Sequence, residues 1–447
     1  MKTIGLSLTL LATSLLTACG GGGSGDVTTG TGGNGGSTTR TFQANVEQDT
    51  VCGTSVSSSN AELLIHDQDW RVVSRHRANA AGIITATVTG SSQMNISTIA
   101  VNRGENPEIQ VASYAQHPVG DLGTLRVPGK AQQGCECRLA DVKVVSPFGS
   151  LTPSTIELTG YNRAEQRRTA VAFGEVTFSD VELCRTTNGN WPVLNAIVNG
   201  GTVNAIAGSV RQYNPSTEIT LPITQTPSIV PVSVAGNYTT LGETHYTETG
   251  ILGLRSRLNS SETFIFNQLD GVEFVSVRAS SNQFDQVDNS TVFRSAQQRQ
   301  AFDLPFTQPP VITIPNNDAQ DALERFLVQD LPSDNTNYNL GAIQGFNTFY
   351  LYVSTTLTDN TSYFQTFIGP LQGKYPDEIV PADYAIADKF NDNAPSTVSA
   401  SVIRYGDSQS YQQYLLDSVE RSKLPLEARM TGKWAKYSSV NIQVTTR

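Results

Sequence analysis

What most narrows the folds open to this chain is a recurring pattern of short runs of β-branched and aromatic residues. Each run is closed off by Gly, Pro, Asn, Asp or Ser. Such runs are Ala61–His66, Arg71–Ser74, Ile83–Thr89, Ser97–Val101, Val142–Val145, Thr169–Phe178, Thr263–Phe266, Val272–Val277, Phe349–Thr355 and Val440–Thr446. Stiff branched side chains suit a pleated ribbon, and the closing residues supply the turns. Spacing near ten residues predicts a mainly β fold of several β-sandwich modules in tandem. Two stretches depart from the pattern. Asn317–Gln329 places Ala322, Leu323, Phe326 and Leu327 on one helical face, with Asn317 as candidate N-cap. Ser410–Leu424 does the same with Tyr411, Tyr414, Leu415 and Val419, and Pro425 ends it. Two short helices covering a sheet in the C-terminal half are therefore expected.

The N-terminus follows other rules. After Met1-Lys2-Thr3 comes an apolar stretch from Ile4 to Leu16, too short for a spanning helix, which takes roughly 20 apolar residues. Position and length fit a secretory signal. It ends in Leu16-Thr17-Ala18-Cys19-Gly20, which resembles the lipobox of bacterial lipoproteins. The resemblance implies cleavage after residue 18 and acylation of Cys19. It also implies a covalent membrane partner and, with Gly20 rather than Asp next, an outer-membrane location. More than one acyl chain makes such anchoring stable. Residues 20–39 are almost wholly Gly, Ser, Thr and Asn, a tether reaching roughly 25 Å.

The chain has five cysteines. With Cys19 given to lipid, Cys52, Cys135, Cys137 and Cys184 remain, an even set that reads as two disulfides in an exported protein. A Cys135–Cys137 bridge would close a strained small ring. The expectation is Cys52 bonded to one of them and Cys184 to the other, with the choice open. No His stands at ligand spacing beside them, so no metal is expected.

Three modules follow the tether: 41–129, 130–231 and 232–447, the last being one domain or two split near Pro332. The stretch Pro222–Pro231 reads as an extended linker, its prolines fixing φ. The first module carries Val51-Cys52-Gly53-Thr54-Ser55-Val56, then Ala61-Glu62-Leu63-Leu64-Ile65-His66-Asp67, then Ala80-Ala81-Gly82-Ile83-Ile84. These residues resemble the carboxypeptidase-regulatory-like, or transthyretin-like, sandwich. That resemblance implies an Ig-like, non-catalytic module. Trp70 departs from it, standing where a Gly usually closes the turn.

Chemistry is thinly represented. Charged residues make up 16%, and the formal net charge is −10. An acidic chain without a Lys/Arg run argues against nucleic acid as partner. Serine-hydrolase elbows, His-x-x-x-His zinc motifs and phosphate-binding Gly loops are absent from the sequence. His66, His76, His117 and His245 give few candidate bases for a dispersed triad, and His66, in strand-like surroundings, reads as structural. Asp318 and Asp321 complement a helix dipole; Asp330, Asp334 and Asp359 read as loop charge. Tyr246, Phe346, Phe349, Tyr350 and Tyr352 could line a sugar-binding face or fill a core. The expectation is a non-enzymatic, cofactor-free envelope lipoprotein acting on a protein or glycan partner in a structural, adhesive or accessory role. A glycan-binding or glycan-processing lipoprotein and an accessory subunit of a secretion or appendage machine are the alternatives.

Overall fold

The computed structural model describes residues 39–446. It omits 105, 150, 152–155, 165–167, 173, 199–204, 249, 254–256, 288, 307–308, 317, 332–335, 377–379, 392–393 and 425–427. Cys19, the tether, Asn317, Pro332, Asp334 and Pro425 lie outside the described residues.

The fold is mainly β, with two short α-helices in the C-terminal half. Its local logic is the alternation of the pleat. Ile83–Thr89 buries every second residue, and Thr39–Thr50 turns Phe42, Ala44 and Val46 inward. In the first sandwich, Thr39–Thr50 pairs with Ser55–Ser57, Ile83–Thr89 and, in parallel, Asp121–Ala131. This small sheet packs on Ala61–His66, Gln93–Asn102 and their neighbours through Phe42, Leu63, Ile65, Ile84, Ile96 and Leu122. Ala61–His66 is buried on both faces, because Leu64 packs on the far side against Ile99, Val111, Leu357 and Tyr363.

The second sandwich opposes two sheets. Glu175–Thr186, Cys135–Val145 and Ile219–Pro222 form the core of one, and Ile156–Thr159, Leu194–Val198 and Ile206–Val210 form the other. Val142, Val144, Phe178, Leu183 and Leu194 fill the space between them.

One large sheet of thirteen strands, among the described residues, unites the first sandwich with the C-terminal region. Glu108–Pro118 runs parallel to Ser362–Gly369, in register from Glu108↔Ser362 to Tyr114↔Ile368. The other described ladders of this sheet are antiparallel. A parallel pair needs a long crossover, and here the whole second sandwich lies within it. Residues 41–129 and 232–447 therefore both contribute strands to this one sheet. The strands on either side of residue 332 also share this sheet.

Pro222–Pro231 is extended as expected, yet it is laddered rather than free. Ile219–Pro222 pairs with Cys135–Val145, and Ser228–Pro231 with Glu262–Ile265. Both helices cover the large sheet, one on each face. Asp318–Arg325 continues through a π-helical turn, Phe326–Asp330, and buries Leu323, Phe326 and Leu327 against Phe349, Val402 and Val440. Tyr411–Ser422, capped by Ser410 accepting from the Gln413 amide at 3.2 Å, packs Tyr414 and Leu415 on Ile368 and Ile403. No described helix is long and apolar enough to cross a membrane.

Candidate functional site

The cysteines pair as Cys52–Cys135 and Cys137–Cys184. Cys52 sits in the turn after the first strand, and Cys135 opens the first strand of the second sandwich. Only residues 132–134 separate that strand from Asp121–Ala131, so peptide and disulfide span the same junction. Cys137 and Cys184 face each other across neighbouring strands. Beside them Arg185 pairs with Glu136 at 2.8 Å and lies 4.3 Å from the Trp191 ring centre. The Arg185 guanidinium, with Arg138 behind it, holds the Glu136 carboxyl below its usual range. Cys137, Glu182 and Cys184 form the one His/Cys/Asp/Glu group brought together among the described residues. Its two sulfurs are spent in a disulfide and are not thiolate ligands.

Three of the four histidines are buried and have lowered pKa values. His66 Nδ1 lies 3.0 Å from the Trp70 carbonyl oxygen, so that nitrogen carries the proton. Nε2 then accepts from the Ser97 hydroxyl at 2.8 Å, and Ser97 contacts Ser113 at 2.7 Å. A serine within reach of a histidine nitrogen has the spacing of a nucleophile–base pair. Here His66 is 1% exposed and both serines are fully buried, so substrate has no access and the trio is a core network. Nothing in the strand pattern marked Ser97 or Ser113, because their pairing depends on register across three strands.

His245 is fully enclosed, and burial alone lowers its pKa to about 3. Its Nε2 accepts from the Phe266 amide at 3.1 Å. His117 Nδ1 meets the Pro118 carbonyl at 2.8 Å, and burial again lowers its pKa. His76 Nε2 meets the Ser74 hydroxyl at 3.0 Å.

The carboxylates singled out by sequence separate into roles. Asp318 and Asp321 stand in the first turn of their helix. Asp359 accepts from Thr361 and pairs with Lys389 at 3.0 Å, which lowers its pKa to about 2. Asp318 and Asp321 also rim a cleft of about 1110 Å³ between that helix and the sheet. Arg404, Lys436, Gln298 and Phe346 line its other side, so the cleft carries both signs of charge.

Of the five aromatics, Phe349 is fully buried in the core and Tyr246 stacks on Phe274. Phe346 packs on the core, and Tyr350 lies under the helix against the Tyr414 hydroxyl. Tyr352 is half-buried and lies in one cross-strand row with Phe284 and Phe293. Sequence reasoning missed Phe284, an exposed ring set among polar residues that forms no core pattern.

No protein-family model matches the chain, and no curated protein does. Among solved structures, a point variant of BcpA, the major pilin subunit of Bacillus cereus, aligns over 62% of this chain and 99% of its own. That alignment has 6% identity and a TM-score of 0.12. Similarity at that level carries no argument about fold or function.

Proposed function

We propose that this chain is a non-catalytic envelope lipoprotein, anchored through acylated Cys19, that acts by presenting its β-modules to a partner. One observation carries the reading. The four cysteines of the folded body are consumed pairwise, Cys52 with Cys135 and Cys137 with Cys184. Cys19 is left as the odd thiol, inside Leu16-Thr17-Ala18-Cys19-Gly20. With the other four thiols paired, the lipobox cysteine is left for acylation, the use its flanking residues imply. Two further features support an interaction role. The buried histidines are engaged in internal hydrogen bonds, and the first sandwich is locked to its neighbours by a disulfide and a shared sheet. Gly20, rather than Asp, after Cys19 supports outer-membrane placement.

Membrane fractionation of cells producing the wild type and Cys19→Ala tests the reading. The wild type should sediment with outer membranes and resist high salt, while Cys19→Ala should be lost from them. Equal membrane retention of both proteins would refute the anchor.

A further inference from the structure

Among the described residues, part of one face of the large sheet has no apolar layer over it. Pairing registers place stretches of two cross-strand rows there. One row runs Asn282, Ser295, Asn441, Ser401, and the next runs Phe284, Phe293, Gln443, Ser399, Tyr352. These side chains hydrogen-bond mainly within the sheet. Ser295 donates to Asn282 at 2.8 Å, Ser399 donates to Asn441, and in the adjoining row Gln297 donates to Ser439 at 3.0 Å. Phe284 is 69% exposed, with its ring centre 4.6 Å from that of Phe293. At the other end of the row Tyr352 stacks on Phe364.

Over these stretches neither row carries a charged side chain or an aliphatic one; beyond Ser401 the first row continues to Tyr350 and Ile368, which pack with the helix Tyr411–Ser422. A merely solvated sheet face ordinarily carries Lys and Glu for solubility. A protein-docking face centres on an apolar patch with Arg around it. Amides and hydroxyls offer both donors and acceptors to neutral hydroxyl groups. Flat rings at each end offer platforms for the C–H faces of sugar rings. Phe293 and Tyr352 stand three strands apart, roughly 14 Å at about 4.8 Å per strand, so a chain crossing the strands meets both.

We propose that this face binds a stretch of uncharged polysaccharide lying across the strands, with Phe284 and Tyr352 as stacking platforms and Gln443 and Asn441 as hydrogen-bonding groups between them. The proposal rests on the reading of the chain as a surface-presented binding protein and names the chemistry of its partner.

Affinity electrophoresis of the full mature protein in detergent tests it, in native gels cast with a soluble β-glucan, a mannan, a galactan or polygalacturonate. At least one neutral polymer should retard the wild type. Phe284→Ala and Gln443→Glu should each weaken that retardation at least tenfold, with unchanged thermal midpoints, and Leu258→Ala, exposed elsewhere, should leave it intact. No retardation by any of the three neutral polymers would overturn the proposal. So would retardation by polygalacturonate alone, or retardation that Phe284→Ala and Gln443→Glu leave within twofold. Membrane retention through Cys19 is scored separately. Loss of sugar binding therefore leaves the anchor standing, and loss of the anchor leaves sugar binding standing.

Discussion

The Tyr411 hydroxyl lies 2.8 Å from the Ala115 carbonyl oxygen and shares its proton with the Ile368 carbonyl at 2.9 Å. Those carbonyls sit at one end of the parallel seam between Glu108–Pro118 and Ser362–Gly369. One helix residue thereby closes the joint between the N-terminal and C-terminal parts of the sheet. Tyr411→Phe keeps the ring and withdraws the hydroxyl from two buried acceptors. A loss of about 1–3 kcal/mol in urea unfolding is expected, and an unchanged midpoint would contradict this role.

The disulfides make a second prediction. Non-reducing peptide mapping should recover Cys52–Cys135 and Cys137–Cys184 as linked pairs, with neither Cys135–Cys184 nor free thiols among these four. Cys52→Ser with Cys135→Ser should cost about 2–5 kcal/mol, read as a shifted denaturation midpoint.

Trp70 holds a left-handed backbone conformation, φ 67°, which a bulky residue adopts only when its surroundings impose it. Here they do. Its indole N–H donates to the Lys374 carbonyl at 3.0 Å, its ring meets Phe367 edge-on, and it is buried. Trp70→Ala keeps the strained turn and loses the packing, so a destabilisation of about 3–5 kcal/mol is expected. Trp70→Gly relieves the backbone and should lose less than Trp70→Ala. Equal losses would show that the left-handed turn stores no strain.

Acid should weaken the fold through its buried histidines. His66, His117 and His245 have folded pKa values below the ordinary 6.5. The unfolded chain therefore binds more protons as pH falls through 6.5, and stability present above that pH is lost below it. For His245, whose folded value is about 3, the loss between pH 6.5 and 5 is roughly 2 kcal/mol. Urea midpoints at pH 7.5, 6 and 5 should fall steadily. A midpoint flat across that range would contradict neutral, buried histidines.

Local patterns in the sequence read well where they were local in the fold. Ala61–His66 and Ile83–Thr89 form with the bounds their sequence runs set. Thr169–Phe178 is legible as β but is a hairpin, Arg168–Ala172 folding back on Glu175–Thr186 around Gly174 at φ 81°. A single Gly is a weak turn signal inside a ten-residue run that otherwise reads as strand. The pairing of Glu108–Pro118 with Ser362–Gly369 left no trace, because parallel partners far apart in the chain share no turn. Both helices were legible from apolar period, though not the π-helical turn at Phe326–Asp330. The cysteines were legible as two bridges, and only the fold decided which sulfur meets which. Tyr350 and Tyr352 alternate along one strand to the same face yet differ in fate, since the helix Tyr411–Ser422 covers the first and not the second.

Whether Cys19 carries lipid decides the account most directly. Mass spectrometry of the N-terminal peptide, from protein extracted with detergent out of its native membrane, reads it in one step. The account predicts a mature chain beginning at Cys19, heavier by a diacylglyceryl group and an N-acyl chain. A mature N-terminus elsewhere, or an unmodified Cys19 thiol, would contradict it.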